Sequence, residues 1–318
     1  IQKVWRGERP QEGRAREFTQ ADIDVVGDGE LPFRYDVTLA LVVVDALSKL
    51  PIPDFKLRVN NRKLAEGFYL GLGLTDTAAV LRSIDKLEKI GPERVAEELQ
   101  SEAGASAEAA AAALELAQIR TEDASFVEQV RELAAKYSVE HELLDQGLAE
   151  LAEVIEEASR RAPGKVLADL SIARGLDYYT GTVYETVMLD HPEVGSICSG
   201  GRYDNLAEYY TDKQLPGVGI SIGLTRLFSV LEAQGYLNDA LVTAPADVLI
   251  LPMTEELSPA ISFATALRDA GVRAQLHCEK KKFKQKLSYA DKLSIPYAAF
   301  LGEDEIQQNK VTVKDLTT

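Results

Sequence analysis

Apolar and polar positions follow three different patterns along the chain. From residue 1 to 27 and from residue 166 to 222, short runs alternate with a period of two or are rich in β-branched residues, which predicts strands. Between Asp76 and Lys165 the apolar positions recur with the period of a helix, in sequence rich in Ala, Glu and Leu. After residue 245 strand and helix patterns alternate, which predicts a small α/β domain with a mostly parallel sheet.

Helices are also predicted inside the strand-rich parts. Pro51 ends an apolar helix over Leu39–Leu50, and a second helix over Arg62–Leu72 ends at glycines; the short strand Phe55–Val59 separates the two. The other predicted helices are Thr77–Ile90, Ala105–Ile119, Ala124–Tyr137, Glu140–Arg161, Leu224–Gln234, Ser258–Ala270 and Lys284–Leu293. Further strands are predicted over Gly217–Ile222, Val248–Leu251, Arg273–Leu276 and Tyr297–Leu301.

The changes of pattern predict four segments and an α+β fold class. Residues 1–75 and 166–242 form the two parts of one strand-rich domain, because both carry the same kind of short strands. Residues 76–165 form a helical insertion between these parts. Residues 245–318 form a second, small α/β domain, which we expect to be truncated at its end because one more helix is due.

The composition is that of a globular protein. Of 318 residues, 46% are apolar and 27% are charged. No apolar run reaches the roughly 18 residues that a membrane span needs, and no signal peptide opens the chain. Cys198 and Cys278 lack any pairing or zinc-site spacing, and the three histidines are equally scattered. The sequence therefore predicts a cytoplasmic protein with no membrane partner and no metal-ligand cluster of its own.

The charge is strongly negative and unevenly distributed. The net charge of −16 argues against a nucleic-acid partner. Residues 76–165 hold much of it, with 20 acidic and 10 basic side chains, whereas residues 245–318 carry ten of each. Within the latter, five lysines fall between Lys280 and Lys286. This run is either a solvated helix start or a surface that attracts RNA, and the run alone leaves both interpretations open.

The first two predicted strands carry side chains that suit a nucleotide. Arg6 and Glu8 lie two positions apart, so they share one face of a strand. An arginine can neutralise a phosphate with directed hydrogen-bond donors. A carboxylate can accept a hydrogen bond from the amino group of adenine. On the second strand Phe18, Gln20 and Asp24 share a face, and an aromatic ring there can stack on a base. The alternative is an exposed hairpin with solvated arginines.

Three further runs carry the chemistry of a binding pocket. Residues 174–185 read RGLDYYTGTVYE, with a cation, a carboxylate and two phenols before a strand pattern. Residues 198–206 read CSGGRYDNL, where paired glycines allow a ligand to approach the backbone. Residues 217–226 read GVGISIGLTR, whose glycine spacing differs from the dinucleotide fingerprint. Alternatively, the tyrosines are ordinary strand residues and Arg174 forms a surface ion pair.

In this order the runs resemble the motifs of class II aminoacyl-tRNA synthetases. The first hairpin is similar to motif 2 and the glycine-rich strand to motif 3, and residues 174–185 resemble the signature of histidyl-tRNA synthetases. The resemblance implies an antiparallel sheet with flanking helices, a helical insertion and a C-terminal anticodon-binding domain. Motif 1, which precedes motif 2 in the family and forms the dimer, has no counterpart here, so we expect an N-terminal part to be missing.

The resemblance also implies a role for each candidate residue. The expected catalytic residues, which stabilise charge at the α-phosphate of ATP, are Arg174 and Arg6. The residues expected to bind ATP are Arg6, Glu8, Arg14, Phe18 and Arg226. The residues expected to bind histidine are Gln20, Asp24, Arg174, Tyr178, Tyr179 and Tyr203. The residues expected to contact tRNA are Lys281, Lys282 and Lys284.

The predicted function is therefore that of a histidine–tRNA ligase. It would activate histidine with ATP and Mg²⁺, transfer it to the 3′ end of histidine tRNA, and form a homodimer in the full-length protein. Two alternatives lack aminoacylation: a synthetase-like regulatory subunit of histidine biosynthesis, and a tRNA-sensing domain of a larger regulatory protein. The arginines of the ATP site, the tyrosine run and the C-terminal domain argue against the first. Against the second, Arg6, Glu8, Arg174 and Arg226 are all present.

Overall fold

The structure, a computed structural model, describes residues 1–7, 15–173, 178–237 and 244–317. Its contacts divide the chain into two compact units, Ile1–Tyr236 and Leu237–Thr318. The larger unit is built on a mostly antiparallel sheet and the smaller unit on a mostly parallel one. None of the helices in the described ranges is long and apolar enough to cross a membrane.

Eight strands form the sheet in the described part of the larger unit. They are β1 (Gln2–Trp5), β2 (Glu17–Val26), β3 (Phe55–Asn61), β4 (Arg120–Thr121), β5 (Val166–Asp169), β6 (Thr182–Met188), β7 (Ser196–Tyr203) and β8 (Gly217–Ile222). Their order is β1-β2-β8-β7-β6-β3-β5-β4, and all neighbours are antiparallel except β3 and β5. This sheet and its flanking helices confirm the predicted fold class.

The helices of the larger unit follow the predicted pattern with three differences. They are α1 (Arg34–Ser48), α2 (Arg62–Gly71), α3 (Thr77–Ile84), α4 (Leu87–Ile90), α5 (Pro92–Glu102), α6 (Ala107–Ala117), α7 (Phe126–Lys136), α8 (Glu142–Arg161) and α9 (Leu224–Ala233). Helix α1 begins before the predicted start at Leu39, because its first turn is polar. The predicted helix Thr77–Ile90 is broken into α3 and α4, and α5, with proline in its first turn, lies outside the predicted helices.

Helix α8 packs closely against α2 next to the sheet. A Cβ on Gly67 of α2 would overlap the backbone of Leu144, and a Cβ on Gly147 of α8 would overlap the backbone of Leu64, so both glycines permit the close crossing. Strand β4, also from residues 76–165, pairs with β5. The independence of residues 76–165 as a domain stays a prediction.

The smaller unit contains a four-stranded sheet in its described residues. Its strands are β9 (Val248–Pro252), β10 (Ala274–Leu276), β11 (Tyr297–Leu301) and β12 (Thr312–Asp315), in the order β10-β9-β11-β12. The first three are parallel and β12 is antiparallel to β11. Its helices are α10 (Ser258–Asp269), α11 (Phe283–Lys292) and α12 (Glu303–Gln307). Two apolar clusters cover the buried strands β9 and β11.

Candidate active site

The candidate site lies where β2, β7 and β8 adjoin. Strands β2 and β8 pair with Asp24 opposite Gly219, and β7 and β8 pair with Tyr203 opposite Gly217. A Cβ at Gly219 would overlap the Asp24 carboxylate, and a Cβ at Gly217 would overlap the Tyr203 ring. Glycine is therefore required at both positions for these two side chains to lie flat across the neighbouring strand.

Asp24 and three tyrosines come together above these glycines. The Tyr203 phenol donates a hydrogen bond of 2.6 Å to Asp24 Oδ1. The Tyr178 ring centroid lies 4.6 Å from that of Tyr179 and 6.4 Å from that of Tyr203, both edge to face. A Cβ at Gly201 would lie 2.9 Å from Cδ1 of Tyr179, so this ring also rests on a glycine. The structure thus assembles four predicted histidine-binding residues from three separate segments.

Two phenols of this pocket, those of Tyr179 and Tyr203, keep their protons. Burial, followed by the neighbouring Tyr178 phenol, raises the pKa of Tyr179 well above the ordinary tyrosine value. Burial and the hydrogen bond to Asp24 raise the pKa of Tyr203 in the same direction. Both side chains therefore remain neutral hydroxyl groups at physiological pH, able to donate one hydrogen bond and accept others.

A charged cluster that lies outside the predicted site residues holds the pocket in place. Arg202 Nη2 donates to Asp36 Oδ2 at 2.7 Å, and Arg202 Nη1 donates to Asp204 Oδ1 at 3.1 Å. Asp204 Oδ2 accepts from the Thr180 hydroxyl at 2.6 Å, and the Thr180 N–H donates to the Arg202 carbonyl at 2.9 Å. Because Thr180 directly follows the paired tyrosines, and Arg202 and Asp204 flank Tyr203, the cluster ties both tyrosine segments together.

The centre of that cluster is a buried ion pair. Asp36 on α1 is fully buried and Arg202 is 7% exposed. Burial raises the pKa of Asp36, while the Arg202 guanidinium opposes the rise. The Tyr184 phenol also donates to the Asp36 carbonyl at 2.7 Å, which fixes the start of α1 against β6. The sequence gives little signal for this pair, because Asp36 lies in the polar first turn of α1; its burial is what requires a partner.

Three of the residues predicted to bind ATP, Arg6, Phe18 and Arg226, lie around the β1–β2 hairpin. The Arg6 guanidinium carbon is 5.1 Å from the centre of the Phe18 ring. The N–H of Thr19 donates to the Thr225 hydroxyl at 2.8 Å, which brings the first turn of α9 beside Phe18. Arg226 follows Thr225, and its Nη1 donates to a backbone carbonyl of β7 at 2.7 Å. Contacts thus connect both predicted arginines to the neighbourhood of one aromatic ring.

The remaining predicted site residues of the larger unit fall into two groups. Gln20 lies on β2 between Phe18 and Asp24, and the strand period places it on their face. Glu8, Arg14 and Arg174 lie outside the described residues. Their roles therefore stay predictions.

The smaller unit presents exposed lysines around the start of α11. Lys281, Lys282 and Lys284 are exposed, and Lys281 Nζ lies 2.6 Å from a carboxylate oxygen of Glu279. Lys286 is buried instead, and its Nζ donates to a carbonyl at the end of β9 at 2.9 Å. The basic surface predicted over the whole lysine run is therefore smaller than expected, since Lys286 sits on the inner side of the helix.

Comparisons with known proteins match both units. Residues 1–227 match the family model of histidyl-tRNA synthetase, and residues 247–318 match that of the anticodon binding domain. The chain belongs to the histidyl-tRNA synthetase family. The histidine–tRNA ligase of Micrococcus luteus is 58% identical over 316 residues, 99% of this chain and 68% of that protein. That of Thermobifida fusca is 49% identical over 319 residues, 100% of this chain and 71% of that protein.

Solved structures agree with this membership. The crystal structure of histidyl-tRNA synthetase from Nostoc sp. PCC 7120 has a TM-score of 0.83 and 37% identity, covering 100% of this chain and 73% of that one. A Bacillus halodurans C protein, described as an ATP phosphoribosyltransferase regulatory subunit/histidyl-tRNA synthetase, has a TM-score of 0.68 and 21% identity, covering 91% and 70%. The second likeness shows the fold alone, so it gives the regulatory alternative no support.

Proposed function

We propose that this protein is a histidine–tRNA ligase, which activates histidine with ATP and transfers the histidyl group to the 3′ end of histidine tRNA. The observation that carries the proposal is the pocket of Asp24, Tyr178, Tyr179 and Tyr203 over glycine, in a chain of this family. A pocket of neutral phenols and one carboxylate offers both hydrogen bonds and aromatic surface to a polar ring, which is what imidazole requires.

The imidazole and ammonium groups of histidine each have proposed partners in this arrangement. The Tyr203 hydroxyl donates its proton to Asp24, so its oxygen is left to accept from an imidazole N–H. Tyr178 and Tyr179 line the same pocket and supply the second hydrogen bond to the ring. Gln20 and Asp24, on one face of β2, hold the ammonium group, since a carboxylate has lone pairs beyond the one that Tyr203 uses.

The first step joins histidine to AMP. The histidine carboxylate attacks the α-phosphorus of ATP, a bond to the α-phosphate forms, and pyrophosphate leaves. Arg6 and Arg174 stabilise the negative charge that develops at the α-phosphate, which is where preorganised donors have their largest effect. Phe18 stacks on the adenine ring, and Arg226 contacts the γ-phosphate or the opposite adenine face. Glu8 accepts from the adenine amino group, and Arg14 contacts the outer phosphates of ATP.

The second step uses the same pocket. The terminal ribose hydroxyl of the tRNA attacks the carbonyl carbon of the adenylate, an ester forms, and AMP leaves. Positioning and charge neutralisation account for both steps, so no covalent bond to the protein is required. The tyrosines hold the imidazole while the carbonyl carbon of histidine is transferred from AMP to the ribose of the tRNA.

Mg²⁺ is the expected cofactor of the first step, where it would neutralise charge on the ATP phosphates. Within the described ranges no group of three or more His, Cys, Asp and Glu side chains is arranged to hold a metal ion. Mg²⁺ commonly keeps several waters and binds through one or two carboxylates together with substrate phosphates. These residues therefore fit a metal that arrives with ATP rather than one held in a protein cage.

The tRNA would be bound through both units. The match of residues 247–318 to the anticodon binding domain supports assigning the anticodon arm to the smaller unit, with Lys281, Lys282 and Lys284 supplying positive charge. The helical segment 76–165, with 20 acidic and 10 basic residues, is suited to few phosphate contacts. We further propose that the full-length protein is a homodimer, as the family resemblance implies.

The test is histidine-dependent exchange of pyrophosphate into ATP, measured on the full-length protein. We expect exchange with histidine, and rejection of leucine and phenylalanine by about 10⁴-fold or more. Apolar side chains would leave the hydrogen-bonding groups of the pocket without partners. A reaction without amino acid sets the background. Equal exchange with leucine or phenylalanine, or none with histidine, would contradict the proposal.

A further inference from the structure

A second group of charged side chains lies outside the tyrosine pocket, where β3, β5 and β6 adjoin. Arg58 on β3 donates from Nε to Asp169 at 2.7 Å and from Nη1 to Glu185 at 3.3 Å. Its Nη2 donates to Glu88 of α4 at 2.7 Å. Arg120 on β4 donates to the same Glu88 oxygen at 3.2 Å and lies 3.1 Å from Asp169. These five residues are called the Arg58 cluster below.

The Arg58 cluster is buried at one end and exposed at the other. Asp169 is 1% exposed, Glu185 is 5% exposed and Arg58 is 9% exposed, whereas Glu88 and Arg120 face solvent. Charges that are buried to this degree require counter-charges and hydrogen bonds. Arg58 supplies them to both inner carboxylates, so its loss would disturb two strands at once.

Those two strands flank the connection that carries the histidine run. In the sheet β3 lies between β5 and β6, and the chain passes from β5 to β6 through residues 170–181. Asp169 is the last residue of β5, and Glu185 lies in β6 after the connection returns to the sheet. Arg58 therefore binds the strand before this connection and the strand after it.

The start of the connection is held by the same groups. Asp169 Oδ1 accepts from the Ser171 N–H at 3.0 Å and from the Ser171 hydroxyl at 2.6 Å, while Oδ2 accepts from Arg58. Ser171 Oγ in turn accepts from Arg58 at 3.2 Å. Asn60, two positions after Arg58, donates to the Ile172 carbonyl at 2.8 Å. Strand β3 thus fixes the backbone two residues before position 174.

We propose that Arg58 is a positioning residue for histidine binding, which acts by fixing both ends of the connection that carries Tyr178 and Tyr179. The inference rests on the proposed function, because it concerns the same pocket. Binding groups must be held within about 0.5 Å of their productive geometry, and a misplacement of about 1 Å can cost about 10²-fold in rate. Through Glu88 and Arg120, the helical segment 76–165 shares this anchor.

The main test replaces Arg58 with Met, which keeps most of the length but removes the charge and donors. We expect kcat/KM for histidine to fall by about 10²-fold, with weaker histidine binding in calorimetry, because the tyrosine segment loses its fixed position. The KM for ATP should change little, since Arg6 follows β1, Phe18 lies on β2 and Arg226 lies on α9, all outside this connection. All rates are normalised to the concentration of active sites.

Further variants separate positioning from a general loss of stability. Glu98→Gln removes the partner of Lys86, at 2.7 Å, in the same helical segment but outside the Arg58 cluster, and should leave histidine binding unchanged. If Arg58→Met does not fold, Ser171→Ala and Glu88→Gln replace it, and each should weaken histidine binding by a smaller factor. Both leave the pairs between Arg58 and the inner carboxylates in place.

The outcomes are distinct. Variants that lower the melting temperature but keep the wild-type Kd and KM for histidine would show that the Arg58 cluster only stabilises the fold, and the inference would be overturned. A wild-type protein without histidine-dependent exchange would instead overturn the proposed function. Weaker histidine binding at an unchanged KM for ATP supports the positioning role.

Discussion

The tyrosine pocket of the larger unit and the lysines at α11 of the smaller unit differ in how their side chains are held. In the pocket, Tyr203 is bonded to Asp24, and the tyrosine segments are tied together by Arg202 and its two carboxylates. At α11 the lysines are exposed, and the ion pair of Lys281 with Glu279 is a surface pair. Surface pairs contribute only about 0–1 kcal/mol and are screened by salt.

This difference determines which kind of ligand each region can recognise. A pocket of fixed donors and acceptors selects a ligand by geometry, so the removal of one member has a large effect. A surface of mobile cations attracts phosphate by its total charge, so each member contributes little and the effect depends on salt. The following predictions test the contrast, beginning with the largest expected effect.

Arg202→Met should lower the free energy of unfolding by about 3–5 kcal/mol, because it leaves Asp36 buried without a counter-charge. Chemical denaturation at neutral pH measures the loss. The double variant Arg202→Met/Asp36→Asn is the control, since it removes both charges and should regain much of the stability. If the single and double variants were equally stable, the pair would not be the anchor that its burial indicates.

The same pair predicts a pH dependence. Burial already raises the pKa of Asp36, and the loss of Arg202 raises it further. The folded state then binds more protons than the unfolded state between the two pKa values, so stability falls as the pH rises through the folded pKa. Arg202→Met should therefore be less destabilised at acidic than at neutral pH, relative to the double variant. Denaturation curves at several pH values would contradict this if the two variants ran parallel.

Arg174→Ala should lower the rate of histidine-dependent exchange by about 10²–10³-fold, since one preorganised donor at a developing charge typically contributes that much. The melting temperature should stay close to that of the wild type. Arg94→Ala, at an exposed arginine of α5, is the matched control and should retain full exchange. A rate for Arg174→Ala close to that of the control would remove Arg174 from the catalytic residues.

Neutralising Lys281, Lys282 and Lys284 to Gln should weaken tRNA binding and reduce its salt slope by about 0.7–0.9 for each phosphate that is no longer neutralised. Histidine activation should persist, because that chemistry belongs to the larger unit. Neutralising Lys292, Lys310 and Lys314 removes the same charge elsewhere in the smaller unit and serves as the control. Equal salt slopes for the two triple variants would indicate that the α11 lysines are only a solvated surface.

Local features of the fold and site could be predicted from the sequence. Alternation along β2 predicts that Phe18, Gln20 and Asp24 share a face. The glycines of β7 and β8 predict sites of close approach to the backbone, although the approach of a ligand stays a prediction; the groups that the structure shows there are side chains of the protein, with Tyr179 over Gly201 and Asp24 and Tyr203 over β8. These inferences work because strand period and glycine sterics act over a few residues.

The anchors of the site could not be predicted in the same way. Asp36 and Arg202 are 166 positions apart, and Arg58 and Asp169 are 111 apart. The sequence shows each of these charges, but which charge pairs with which depends on the order of strands in the sheet. The position of Lys286 is missed for a related reason, because the run of lysines does not reveal which side of α11 faces the core.

The parallel pairing of β3 with β5 has a consequence for synthesis of the chain. Leu57 pairs with Val166, so the ribosome must add 109 residues after Leu57 before its partner exists. At about 5–20 residues per second this takes roughly 5–20 s. During that interval β3 emerges before Asp169 and Glu185 exist to pair with its Arg58, while helices α3–α7 can already form from local contacts. We expect the helices between the two strands to fold first on the ribosome, and the middle of the sheet to close only after they are complete.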